Sequence, residues 1–296
     1  MTRKTWLEIS LNGGGGHAHQ HLMPVTAADL IAEGVACVEA GAAIVHFHAY
    51  DEATETQRDD PDLYARVIEG IRAKVDAIVY GTLPAVGSRD CPTIEDVKAR
   101  HAAVEALARR KLIEWTVVDP GSVNFADFAG IEHDRDGFVY LNPQSHIRHG
   151  LGLCERYGLH PSFAVYEPGF ARTGAAMARR FPILPQPVYR FMFSEGYAFG
   201  FPPEEYALDA YLKLLDSVAP GAPWMVAGLM VDIRPLIAPA VARGGHVRVG
   251  LEDAPRLSER GNLWWVEDAA RRIRQAGGEP ATAAEVRAAS RESANG

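Results

Sequence analysis

Ala43-Ile-Val-His-Phe-His48 is the stretch whose reading decides the fold. It is short, apolar and rich in strand formers, and it follows Gly41 at the end of a helical pattern. That helix opens at Thr26-Ala-Ala-Asp, a capping signature, and continues through Leu30, Ile31, Val35 and Val38 at helical spacing. Strand and helix alternate in this way along nearly the whole chain. Further strands read as Trp6–Asn12, Ala77–Gly81, Trp115–Val118, Ser162–Val165, Pro187–Phe193, Trp224–Gly228 and His246–Leu251, each followed by a segment able to form a helix. The clearest of the other helices span Pro61–Lys74, Ile94–Arg110, Pro203–Ser217 and Leu263–Ala276. Eight βα units predict an α/β fold, a single (β/α)8 TIM barrel over residues 1–296. Phe138-Val-Tyr-Leu-Asn142 reads as a small strand outside the barrel, before a helix that starts near Pro143, and Ala281–Ser290 as a short C-terminal helical extension.

Composition narrows the function classes. The chain has 296 residues, 47% hydrophobic and 23% charged, which is ordinary for a globular protein with a large core. Acidic residues outnumber basic ones by 38 to 30, and the formal net charge of -8 argues against nucleic acid or an anionic membrane as the main partner. Cys37, Cys91 and Cys154 lie far apart, without a C-x-x-C pair, so neither a disulfide framework nor a thiolate zinc site is indicated, and a reducing cytoplasm fits. No run reaches the roughly 18 apolar residues of a membrane span, and the N-terminus lacks a signal-peptide core.

Within the deciding stretch, His46 and His48 fall on one face of a strand, their backbones roughly 6.6 Å apart, so their imidazoles can converge on an ion. They also lie at the C-terminal end of a barrel strand, where catalytic groups collect in this architecture. The pair is either a metal site or two hydrogen-bonded core histidines. Glu252, where the eighth strand runs out, is the natural third ligand, unless Glu252 and Asp253 merely cap a turn. Two histidines and one carboxylate leave coordination positions open, a catalytic arrangement for zinc that Fe(II) shares. Arg248 shares the strand face of Glu252, as a structural ion pair or as a group that sets a carboxylate's pKa and binds an anion.

Several blocks together resemble the β-keto acid cleavage enzymes, the family named for 3-keto-5-aminohexanoate cleavage: Gly41-Ala-Ala-Ile-Val-His-Phe-His48, Asn124-Phe125, Tyr166-Glu-Pro-Gly169, Trp224-Met-Val-Ala-Gly228 and Gly244-Gly-His-Val-Arg-Val-Gly-Leu-Glu-Asp253. The resemblance covers almost the full chain, and the last block is its most specific part. It implies a (β/α)8 barrel holding one divalent zinc, and a reaction that takes a β-keto acid and acetyl-CoA to acetoacetate and a new CoA ester. It makes His46, His48 and Glu252 the zinc ligands, and Arg248 and Asp253, with Thr82 where the family commonly has Ser, the unit that deprotonates the substrate. Acetyl-CoA is then a co-substrate, no organic cofactor is needed, and a homotetramer is expected. Members acting on amino substrates carry two acids where this chain has the Gly13–Gly16 tract and Ala164, so an amine-bearing substrate is not expected. Tyr50 stands where many members place Arg, and Val117 beside Thr116 where the family has Thr, which implies a less polar or differently charged acyl group.

Further substrate contacts are read at strand ends. Asn12 is a candidate for a substrate hydrogen bond; Tyr50, Thr116, Tyr166 and Glu167 are candidates for the pocket, the last two alternatively for holding the loop before Pro168. Arg234, after the seventh strand, is the candidate for CoA phosphates. His17, His19 and His21 read as a solvated or substrate-contacting loop rather than a second metal site, and Trp264-Trp265 as core or subunit interface. The competing functions are another metal-dependent barrel aldolase or hydrolase, and a barrel that binds a small ligand without catalysis.

Overall fold

A computed structural model describes residues 3–292, and residues 1–2 and 293–296 of the expected barrel lie outside the described residues. Its eight barrel strands are β1 (Leu7–Ser10), β2 (Ile44–Phe47), β3 (Ile78–Gly81), β4 (Trp115–Val117), β5 (His160–Val165), β6 (Val188–Phe193), β7 (Trp224–Gly228) and β8 (His246–Val249). They pair in the order β3-β2-β1-β8-β7-β6-β5-β4. Every described ladder among them is parallel. β3 and β4 lie side by side, with no ladder between them among the described residues, so the α/β barrel is nearly closed.

Both faces of this sheet are buried, which is why its strands read as apolar runs rather than clean alternations. On β6, Phe191 and Phe193 turn outward onto Tyr211 of the helix Glu205–Val218, with the Phe191 and Tyr211 rings stacked at 4.6 Å. Arg190 lies on the opposite parity and faces the barrel interior, where it lines a cavity. The expected cap forms: Thr26 Oγ1 accepts from the Asp29 backbone N–H at 3.1 Å and starts the helix Ala27–Glu39. Phe138–Tyr140 does pair outside the barrel, antiparallel with Val123–Phe125, and is followed by the helix Gln144–Tyr157.

Some expectations change. The stretch Ile94–Arg110 is not one helix: it forms Val97–Arg100 and Ala102–Arg109, parted at His101. Asp96 folds back to accept from Thr93 N–H and Oγ1–H, which delays the start. Arg100 is turned inward onto the Pro84 and Leu141 carbonyls and Asn142, which the break accommodates. The eighth strand ends at Val249 rather than Leu251, because Gly250 has φ 138, and a Cβ there would collide with the Ser10 carbonyl. A short parallel pair, Arg3–Thr5 with Gly278–Pro280, covers the N-terminal end of the barrel; its strands are too short to show as a pattern. The helix after it, Ala283–Glu292, starts two residues later than expected, with Thr282 and Glu285 bonded reciprocally.

At that same end, the His246 ring stacks on Trp6 with centroids 4.0 Å apart, and His246 Nδ1 accepts from the Trp6 N–H at 3.1 Å. Burial, reinforced by the nearby charge of Arg3, pushes the imidazole pKa down from 6.5 to about 3, so the ring is neutral in the fold. The unfolded chain protonates this ring below pH 6.5; its contribution to stability is therefore complete above that pH and is lost as the pH falls toward 3. His246→Asn, which keeps an acceptor, is expected to make the acid-side slope of unfolding free energy shallower by up to about 1.4 kcal/mol per pH unit. Urea titrations at several pH values measure it, and an unchanged slope would contradict the assignment.

Candidate active site and metal centre

The C-terminal ends of β1, β2 and β8 meet at one point. His46 ends up inside the barrel, beside Tyr80 of β3 in register. The turn forced by Gly250 brings Glu252 back over the barrel mouth, beneath the Gly13 backbone, where a Cβ on residue 13 would sit 2.6 Å from Glu252 Cγ. His48 Nε2 lies 3.1 Å from Glu252 Oε1 and His46 Nε2 3.6 Å from Glu252 Oε2. One donor atom from each of the three residues lies within 4.8 Å of the others, the one such cluster of three or more donors among the described residues.

The surroundings of these groups fit a cation. Burial, helped by Arg248, His48 and Arg190 and opposed by Glu252, holds the His46 pKa well below its ordinary value and leaves the ring neutral. His48 Nδ1 bonds Gln57 Oε1 at 2.8 Å, and the Gln57 amide is fixed because its Nε2 donates to Asp59 at 3.1 Å. An amide oxygen can only accept, so His48 carries its proton on Nδ1 and presents Nε2 to Glu252. Burial works against a second proton on His48, but Glu252 and the hydrogen bonds to Glu252 and Gln57 together outweigh it and raise the pKa. The negative charge of Glu252 that raises it is the charge a divalent cation at this point would meet. Although burial opposes it, Arg248 and the two histidines hold the Glu252 carboxyl well below the carboxylate range.

Arg248 organises the acids from below. Its Nη1 donates to Glu8 Oε1 at 2.9 Å, its Nη2 to Glu252 Oε2 at 2.6 Å and to Ser10 Oγ at 3.0 Å. Nε and Nη2 together grip both oxygens of Asp253, at 2.8 and 2.9 Å. Ser10 in turn donates to Glu252, and Tyr80 to Glu8 at 2.7 Å. Burial pushes the Asp253 carboxyl up to about 6, against the pull of Arg248.

Above this layer opens a cavity of about 390 Å³, lined by His46, His48, Glu252, Arg248, Arg190 and Thr82 among others. Its outer wall is aromatic: Phe125 touches Phe138 at 5.0 Å, Tyr166 at 5.1 Å and Tyr197 at 5.6 Å, centroid to centroid. A larger open cleft of about 740 Å³ lies at the opposite end of the barrel, against Trp6 and His246. It holds none of the three metal-donor residues, and in (β/α)8 enzymes the chemistry belongs to the C-terminal face.

With this geometry in hand, a family model described as beta-keto acid cleavage enzyme matches residues 4–290. The chain belongs to the β-keto acid cleavage enzyme family. Relatives within it include a 3-oxoadipate:acetyl-CoA acetyltransferase of Cupriavidus necator, 26% identical over 97% of this chain and 95% of the relative. A 3-keto-5-aminohexanoate cleavage enzyme of Fusobacterium nucleatum is 27% identical over 91% and 90%, and a 3,5-dioxohexanoate:acetyl-CoA acetone transferase of Paraburkholderia graminis 25% identical over 78% and 76%. Among solved structures, apo ObcA superposes with a TM-score of 0.69 at 16% identity, over 90% of this chain and 65% of ObcA, so the chain spans about two thirds of that longer protein. A 3-dehydroquinate dehydratase of Clostridium difficile gives 0.55 at 9% identity, over 93% and 94%. At these identities the two structures speak for the barrel alone.

For this family member, several residues expected at the substrate stand elsewhere. Asn12 is wholly buried; its Oδ1 accepts from His48 N–H at 2.7 Å and its Nδ2 donates to the His48 and Pro24 carbonyls, so it clamps the His48 backbone. Tyr50 donates its hydroxyl to the Gly13 carbonyl and accepts from Gly16 N–H at 2.9 Å, pinning the glycine tract. Thr116 has the outward parity of β4 and faces Val104 and Leu107, while Val117 lines the cavity. Glu167 holds the Gly200 N–H at 3.2 Å, the loop-holding alternative. Arg234 is locked onto Asp232 and lies 5.3 Å from the Trp264 and Trp265 ring centres, away from the cavity lining. Tyr166 does line the cavity, as does Thr82, though no hydrogen bond joins Thr82 to Asp253 among the described residues. His17, His19 and His21 do not converge: His17 pairs with Glu55 and His19 reaches the cavity wall. No described helix is long and apolar enough to cross a membrane.

Sequence reading missed Glu8, Ser10, Gln57, Asp119, Tyr140 and Arg190. The inward parity of β1 and β6 was the one available signal, for Glu8, Ser10 and Arg190. Zinc at about a hundredfold its Kd is expected to stabilise the wild-type chain by about 2.7 kcal/mol, and His46→Ala not at all. Thermal unfolding with and without zinc checks this, and equal stabilisation of both proteins would contradict it.

Proposed function

We propose that this chain is a zinc-dependent β-keto acid cleavage enzyme that takes a β-keto acid and acetyl-CoA to acetoacetate and a new acyl-CoA. The observation that carries the reading is the meeting of His46, His48 and Glu252 on the wall of a cavity that also presents two buried arginines, Arg190 and Arg248. The names of the Cupriavidus and Paraburkholderia relatives, both acetyl-CoA transferases, support it.

His46, His48 and Glu252 would hold the ion, which would supply Lewis acidity to offset the enolate charge that develops on the substrate. Asp253 is the base that takes a proton from the carbon between the substrate's ketone and carboxylate, its carboxyl poised by burial and gripped by Arg248. Asp253 lies behind Arg248 rather than on the cavity wall, so the transfer requires a shift of that pair. Thr82, on the wall, offers a hydroxyl for the substrate or the displaced carboxylate. The carbanion forms a bond to the acetyl carbon of acetyl-CoA and expels the CoA thiolate. That thiolate adds to the original ketone carbon, the bond between ketone and α-carbon breaks, and the α-carbon recovers its proton from Asp253 as acetoacetate leaves.

The reading includes one catalytic domain acting as a homotetramer in the reducing cytoplasm. The exposed Phe128, Ile131, Phe138 and Val139 near the mouth support an assembly, and the free, buried thiols of Cys37, Cys91 and Cys154 support the compartment. Incubation of zinc-loaded protein with acetyl-CoA and a panel of β-keto acids is expected to yield acetoacetate and acyl-CoA in equal amounts. Asp253→Asn should lower kcat by about a thousandfold while keeping its zinc. No acetoacetate from any acid, or full activity in Asp253→Asn, would contradict the mechanism.

A further inference from the structure

Two arginines are buried inside this barrel, and they differ in one respect. Arg248 spends its donors on Glu8, Ser10, Glu252 and Asp253. Arg190, 3% exposed, has no such partners: its Nε is buried with no hydrogen-bond acceptor, and no carboxylate among the described residues lies within 4.0 Å of its guanidinium. Its neighbour in register on β5 is Ala164, which offers neither an acid nor bulk. Asp119, the one other acid lining the cavity besides Glu252, is already engaged: Tyr140 donates to its Oδ2 and Ala164 N–H to its Oδ1. The carboxylates of Glu8 and Asp119 act on Arg190 through space, without a hydrogen bond or close ion pair to it among the described residues; a guanidinium remains charged, and burying it without a contacting acceptor is costly.

The cavity reaches this cation from the metal-donor cluster, since Arg190, Ala164 and the His46-His48-Glu252 group line the same space. A β-keto acid bound through its ketone and adjacent carboxylate at that cluster extends its acyl chain along the rest of the cavity. Arg190 lines that part of the cavity with its Nε unpartnered among the described residues. A planar fork of N–H donors matches a carboxylate in two-point contact. We infer that Arg190 selects β-keto acids whose acyl chain ends in a second carboxylate. The inference rests on the proposed reaction and adds its substrate class. Arg190 is then the specificity residue, contacting the end of the substrate remote from the bond that breaks, and a neutral alkyl chain of equal length leaves its charge unmet.

The test compares 3-oxohexanedioate with 3-oxohexanoate, as substrates of zinc-loaded wild type, Arg190→Met and Arg190→Lys. In wild type the diacid should be preferred. Arg190→Met should lower kcat/KM for the diacid by about a hundredfold and leave the monoacid within about threefold, with Arg190→Lys between. Equal losses for both acids would place Arg190 on the carboxylate that every substrate shares and would overturn the inference. A binding arm separates this from failure of the reaction itself. Adipate, but not hexanoate, should raise the Tm of zinc-loaded wild type, and Arg190→Met should lose that shift. If neither keto acid turns over while adipate still discriminates through Arg190, the reaction is wrong and the dicarboxylate site stands. Equal shifts by adipate and hexanoate in wild type would remove the site.

Discussion

The guanidinium of Arg248 is the interaction on which the rest of the site depends. It is wholly enclosed and bonded to three carboxylates, those of Glu8, Glu252 and Asp253. Glu8 comes from the first barrel strand and Arg248 from the last, so the pair also fastens the two strands across which the barrel's beginning and end meet. A buried arginine between acids is weak evidence for stability, because desolvation offsets much of the attraction; its consequence is geometric. Three acids that would repel one another in an apolar interior are held at fixed positions, and one of them, Glu252, is turned with an oxygen toward two histidines. Gly250 and Gly13 make this possible, one by turning the chain after β8 and the other by letting the loop after β1 pass close over Glu252.

The balance of charge inside the barrel explains how a chain of net charge -8 can serve anionic substrates. Within the mouth, Glu8, Glu252 and Asp253 are paired with Arg248, and Asp119 is bonded by Tyr140 and the Ala164 N–H, whereas Arg190 lines the cavity with no close ion pair among the described residues. A cation held at the metal-donor cluster would, together with Arg190, make the floor of the cavity an island of positive potential inside a negative surface. The acidic exterior bears on large polyanions and says little about a carboxylate a few atoms long.

The barrel strands and the histidine pair are legible in the sequence because both are local, whereas Glu252, some two hundred residues away, is read from its place at the end of the eighth strand and from the family resemblance. Eight alternating apolar stretches are visible one window at a time, and His46-Phe47-His48 carries its own geometry. What failed was direction. Asn12, Tyr50 and Glu167 do lie at strand ends facing the mouth, but their polar atoms are spent on backbone groups of neighbouring loops, which no window of sequence shows. Thr116 missed by one residue of parity, since Trp115 and Val117 point inward on that strand. Arg234 was placed by chain position, and the Asp232 two residues earlier captures it. Arg190 and Glu8 were passed over for the opposite reason: an isolated charge in an apolar strand has meaning only once its neighbours across the barrel are known.

If the Arg248 fork positions Glu252 for the ion, a lysine in its place, with the charge but not the fork, should loosen the metal centre without unfolding the barrel. Zinc affinity of Arg248→Lys, measured by competition with a chromogenic chelator alongside circular dichroism, is expected to fall by about 10- to 100-fold with the fold retained. An affinity within about twofold of wild type would show that Glu252 is placed without that fork.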